Sequence, residues 1–215
     1  MLDYLEKDLK YIIADILSII TIASCLVSKV PQIRTIEQLK SARGISTTAL
    51  ILEVSSYTVT FSYNFCKGYA IMSYLEYPIL LLQEYVLIFL VLKYQGLLHG
   101  KSFIFVGLYT LFTVMFLSRL FPMWFLTALL PLTTPVGATS KIIQLVEILR
   151  TKNSASVSLA TWAMSAFTNF TRIYTITVDS ADIMLLMNFS ISFLLSASVF
   201  LAAKYYKDDK TKKIE

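Results

Sequence analysis

Charge, histidine, cysteine and glycine are all scarce in this 215-residue chain, which has 15% charged residues, one histidine, two cysteines and six glycines. Cys25 and Cys66 fall near opposite ends of consecutive antiparallel apolar segments, too far apart to bridge, so they read as small packing residues and not as a redox pair. The lone His99 sits in a loop. No Cys/His spacing suits a metal, no glycine-rich loop could cradle phosphate, and no nucleophile elbow or carboxylate pair at catalytic spacing is present. An enzyme is not expected, and neither is a cofactor, a bound metal or a nucleic-acid partner. What abounds is apolar: 56% of residues are hydrophobic and the mean hydropathy is +0.67, the balance of a bilayer resident.

The hydrocarbon core is about 30 Å thick and an α-helix rises about 1.5 Å per residue, so a span needs roughly 20 mostly apolar residues. Seven stretches qualify: Tyr11 to Val30, Ser46 to Phe65, Tyr74 to Leu92, Ser102 to Leu117, Phe121 to Ile143, Val157 to Val178 and Ile183 to Ala203. Asp3, Glu6 and Asp8 precede the first, where a cleaved leader would be basic, so this segment is expected to stay. Lysine and arginine concentrate after spans one, three and five and in the tail, which predicts a luminal or outside N-terminus and a cytosolic C-terminus.

Ser28, Lys29, Gln32, Ile36, Lys40 and Ser46 recur 112 positions on as Ser140, Lys141, Gln144, Ile148, Lys152 and Ser158. A duplicated unit follows. The expected fold is an all-α membrane protein with seven transmembrane helices: a three-helix bundle (residues 11–93), a linker helix (102–119), a second three-helix bundle (121–206) and a basic cytosolic tail (207–215). A single inserted span keeps both bundles in one orientation. Pro31 removes a backbone donor and frees the carbonyl of Val27, which predicts a bend. The second copy has Ile143 there, with Pro131 and Pro135 two to three turns earlier. These prolines are candidate hinges; static packing is the alternative. Gln32 and Gln144 beside them are read as partners for freed backbone groups. Pro78 and Pro122 are read as helix starts, and Ser46 and Ser158 as N-caps.

Lys29-Val30-Pro31-Gln32 followed by Ser41-Ala42-Arg43-Gly44-Ile45-Ser46 resembles the PQ-loop repeat of the family that includes SWEET sugar carriers, the lysosomal cystine carrier and the KDEL receptor. Leu52-Glu53, the run Tyr74 to Leu80, Gln83-Glu84, Thr171-Arg172-Ile173 and Asn188 resemble the branch of mannose-P-dolichol utilization defect protein one and PQ-loop repeat-containing protein three. The second copy departs from the motif, with Ile143-Gln144 for Pro-Gln. The resemblance implies a SWEET-like fold in an endomembrane, the endoplasmic reticulum favoured, and a link to use of dolichol-phosphate monosaccharides.

Polar groups within the spans are the candidates for function, since a charge at a helix centre costs about 2.5 to 3.5 kcal/mol on insertion scales. They are Asp15 in span one, Glu53 in span two, Gln83 and Glu84 in span three, Arg172 in span six and Asn188 in span seven. Thr161, Ser165, Thr168, Arg172 and Thr175 make a polar seam, and the whole set could line one wet cavity. Helical rise brings Arg172 to the depth of Asp15 or Glu84 and leaves Glu53 without a cation. Glu53 and Glu84 read as proton-coupling or hydroxyl-binding groups, or as interhelical glue. Arg172 reads as a structural ion pair ahead of an anion site. The leading expectation is an alternating-access carrier of a small polar solute or sugar-bearing ligand. The alternative is a non-transporting accessory factor for dolichol-linked sugar use, and a sorting receptor ranks last. Membrane lipid and a second copy of the chain are the expected partners beside such a ligand.

Overall fold

The computed structural model describes residues 2–42, 45, 47–152, 154 and 159–212. Among these, eight α-helices are present and no strand. They are α1 (Leu2–Ser28), α2 (Val30–Leu39), α3 (Thr47–Lys67), α4 (Glu76–Tyr94), α5 (Gly100–Leu117), α6 (Met123–Thr151), α7 (Leu159–Asp179) and α8 (Ile183–Lys212). Each predicted span is helical, but the boundaries move. The basic connection after span one contains the helix α2; α6 and α8 run well past the predicted ends of spans five and seven, and α8 extends into the expected tail. The N-cap positions Ser46 and Ser158 lie outside the described residues.

Among the described residues, three helical stretches are long and apolar enough to cross a membrane by length and composition: Leu9–Leu39, Glu76–Tyr94 and Ile183–Tyr206. Ser102–Leu117 is a shorter apolar helix. The outward faces of α1 and α5 carry exposed Ile12, Ile16, Ile19, Phe103, Ile104 and Leu108, a surface that water would penalise and lipid would not.

The chain divides into two compact units, Asp15–Thr133, and Met1–Ala14 together with Thr134–Glu215. In the first, α3 packs on α4 and α5, and α2 packs on α4. Its core gathers Ile36, Ala42, Leu50, Leu87, Leu90 and Val91. In the second, α7 packs on α8, around Ile148, Val199 and Ala203.

The duplication persists in the backbone. α3 and α7 are both 21 residues long and occupy equivalent positions 112 apart. Ile36 and Ile148 take the same place in the two cores. Lys40 and Lys152, which follow α2 and α6, are left-handed with φ of 48° and 49°. A left-handed lysine costs roughly 1–2 kcal/mol, so its recurrence at one register marks a shared helix stop.

Prolines act as their positions dictate. Pro78 lies in the first turn of α4 and Pro122 immediately precedes α6, where no helical donor is missed. α6 continues unbroken through Pro131, Pro135 and Gln144, whereas the first copy breaks at Lys29, two residues before Pro31.

Candidate functional site

Pro31 dictates the break and Gln83 closes it. α2 restarts with the Ile33 N–H donating to the Lys29 carbonyl at 3.0 Å. From α4, the Gln83 Nε2 donates to the carbonyls of Cys25 (3.0 Å) and Leu26 (2.9 Å). Its Oε1 accepts from the Lys29 N–H and the Ser28 hydroxyl, each at 3.3 Å. One side-chain amide thus supplies both donor and acceptor where the helical ladder fails, which is how a broken membrane helix stays satisfied. Gln32, expected in this role, is exposed. Proximity in sequence pointed to the wrong glutamine, because the neighbouring helix presents its amide to the break. Gln144 has no break beside it. Immediately after α4, Gln95 holds the other end of the same segment, its Nε2 donating to Ala42 O (3.3 Å) and Ile45 O (2.8 Å).

The break aims Lys29 into the unit. Its Nζ lies 2.7 Å from Glu53 Oε1 on α3 and 3.1 Å from Glu84 Oε2 on α4. Glu84 is fully buried, and its Oε1 has no hydrogen-bond partner among the described residues. The Glu53 side chain is 36% exposed, and its Oε1 also accepts from the Tyr57 hydroxyl one turn on, at 2.6 Å. The ring of Tyr57 in turn meets that of Tyr77, with centroids 6.3 Å apart. Two carboxylates therefore share one ammonium, and the site holds one surplus negative charge when both are ionised. Such an arrangement can take up a proton or a cationic group, or donate and accept at a ligand hydroxyl.

This corrects two expectations. Glu53 does have a cation, and Glu84 faces Lys29 in place of Arg172. Both errors share a cause: the positive-inside rule counts Lys29 as a loop charge without asking where its side chain turns. The available signal was the position of Lys29 two residues before a proline, with carboxylates at matching depth on the next two spans.

The other candidates lie on α1, α7 and α8. Asp15 is exposed on α1. Arg172 is buried on α7 beside Thr171 and Thr175. Asn188 on α8 accepts from the Thr134 hydroxyl at 2.9 Å. Two hydroxyls of the polar seam bond locally: those of Thr168 and Thr175 donate to carbonyls three residues back, as threonine commonly does in apolar helices. A cavity of about 240 Å³ lies between α3, α4 and α5, lined by Thr47, Ile51, Val54, Tyr85, Phe105 and Tyr109 among others. None of the candidate residues lines it. Neither Cys25 nor Cys66 is in a disulfide.

The PQ loop repeat family matches residues 13–72, the segment that contains the break at Lys29 and the Lys29–Glu53 pair. The chain is similar to the protein of Homo sapiens named Solute carrier family 66 member 3, with 30% identity over 187 residues that span 87% of this chain and 91% of that protein. Its fold is similar to the 3.7 Å structure of a eukaryotic SWEET transporter, with a TM-score of 0.67 at 13% identity, covering 94% of this chain and 99% of that one. The chain belongs to the PQ-loop repeat proteins of solute carrier family 66.

Proposed function

We propose that this protein is an integral membrane carrier that opens a polar site to one side of the bilayer at a time. In this reading seven spans are arranged as three, one and three, the N-terminus is luminal or outside and the C-terminus cytosolic. The names of a human relative and of a structural neighbour, a solute carrier and a SWEET transporter, support carriage over catalysis. The observation that carries the proposal is the Lys29, Glu53 and Glu84 cluster at a helix break. Charges that costly to bury persist in a bilayer where they serve a pathway, and a break held by one glutamine is a joint that can move. A proton on either carboxylate would cancel the surplus charge and link the ionic state to the shape of the break. The cargo is a small polar solute or a sugar-bearing ligand, and the resemblance to the dolichol-utilization branch favours an endoplasmic reticulum protein that serves dolichol-phosphate monosaccharide use.

Alternating exposure is the test. With Cys25 and Cys66 replaced by alanine, single cysteines at Ser56 and Thr60 in proteoliposomes are expected to react with a membrane-impermeant maleimide from both sides, and solute should shift the ratio. Labelling from one side only, unchanged by every solute of a sugar and amino-acid panel, would instead favour the accessory role.

A further inference from the structure

The two copies differ around their lysines. Lys141 is the register equivalent of Lys29, and Ser165 stands where Glu53 does, each 112 positions on. For the third helix of each copy the offset is 108: Val91 and Val199 fill equivalent core places. At the loop end, Gln95 donates to Ala42 O in the first copy, and Ala203 O accepts from the Ser154 hydroxyl in the second. On that register Ser192 replaces Glu84. The contact survives, since Lys141 Nζ donates to the Ser192 carbonyl at 3.3 Å, but both carboxylates are gone. Ser165 instead shares a hydrogen bond with Ser196 at 3.0 Å. Among the described residues no carboxylate forms an ion pair with Lys141.

Lys141 is half-buried, and its ammonium has three donors with one carbonyl acceptor among the described residues. A partly desolvated cation in this state recruits an anion. Hydroxyl groups now occupy the positions where the first copy has acceptors, so the surroundings have changed from a carboxylate's to a host for one. We propose that Lys141 is an anion subsite that takes the carboxylate or phosphate group of an acidic ligand, the place of the missing Glu53 and Glu84 equivalents being filled from outside the chain. This deepens the carrier reading by naming the charge of its cargo.

The test is binding, which needs no flux. The purified full chain in neutral detergent is titrated, at fixed ionic strength, with succinate, inorganic phosphate, dioctanoyl phosphatidic acid and glucose, and the thermal unfolding midpoint is followed. At least one anion is expected to give a saturable rise and glucose none. Succinate or phosphate would mark a soluble ligand, and phosphatidic acid alone a lipid headgroup. Lys141→Gln should weaken the apparent affinity at least about tenfold, the weight of one charge-assisted hydrogen bond. Ser192→Glu restores the internal carboxylate and should abolish the response while raising the ligand-free midpoint. If Ser192→Glu does not fold, Lys141→Gln alone decides. No saturable anion response in the native chain, or one that survives Lys141→Gln, overturns the subsite. Anion binding at Lys141 without solute exchange would keep the subsite and remove the carrier reading; exchange of a neutral solute without anion binding would do the reverse.

Discussion

Replacing Lys29 with methionine keeps most of the unbranched stem, one atom shorter, and removes the cation that Glu53 and Glu84 share. The cost divides by exposure. Glu84 is fully buried, and stranding one member of a buried ion pair costs about 3–5 kcal/mol. The Glu53 side chain is 36% exposed and keeps its bond from Tyr57, so it adds about 0–1 kcal/mol. Lys29→Met is therefore expected to destabilise by about 3–6 kcal/mol. The double variant Lys29→Met/Glu84→Gln removes the stranded charge and leaves a buried amide, at about 1–3 kcal/mol. Equilibrium unfolding in mixed micelles of a mild detergent and SDS measures both, and the double variant should be the more stable. The reasoning fails if Lys29→Met costs under about 1 kcal/mol, or if adding Glu84→Gln restores nothing.

Gln83→Leu removes the amide's bonds to the carbonyls of Cys25 and Leu26 and to the N–H of Lys29, Cys25 O keeping the Ser28 hydroxyl, and should cost about 1–3 kcal/mol, with faster amide exchange at the break than elsewhere in α1. Gln95→Ala should raise exchange at Ile45 and cost about 1 kcal/mol, while the break itself stays protected. Pro131→Ala and Pro135→Ala each restore a backbone donor to the continuous helix α6, so stability should hold or rise while solute exchange in proteoliposomes slows; unchanged exchange would remove their hinge role.

The helices were legible because long apolar runs leave little else for a chain in lipid to form, and the 112-residue register was legible because identities survive at Lys29, Ile36 and Lys40. The ends of α2, α6 and α8 were not, since hydropathy reports where lipid begins and a helix need not stop there. Glu53 and Glu84 stood out as costly charges, yet their partner did not. Lys29 was hidden by its place in a basic flank, and only the direction of the break shows that it turns inward. Gln83 was visible as a polar residue in a span, but its task belongs to a helix 55 residues away, which one-dimensional spacing cannot express. Ser165 lies on the 112-residue register, but Ser192 became informative only when the structure supplied the second offset.

The central claim is that an ionic cluster at a helix break drives carriage of solute. Counterflow in proteoliposomes tests it most directly, with a panel of sugars, amino acids and small acids and with native chain beside Glu84→Gln. The account predicts exchange of at least one solute by the native chain, and a loss of about tenfold or more in Glu84→Gln, the weight of a charge-assisted contact, while the variant still folds. Equal exchange by a folded Glu84→Gln, or no exchange of any solute by the native chain, would contradict it.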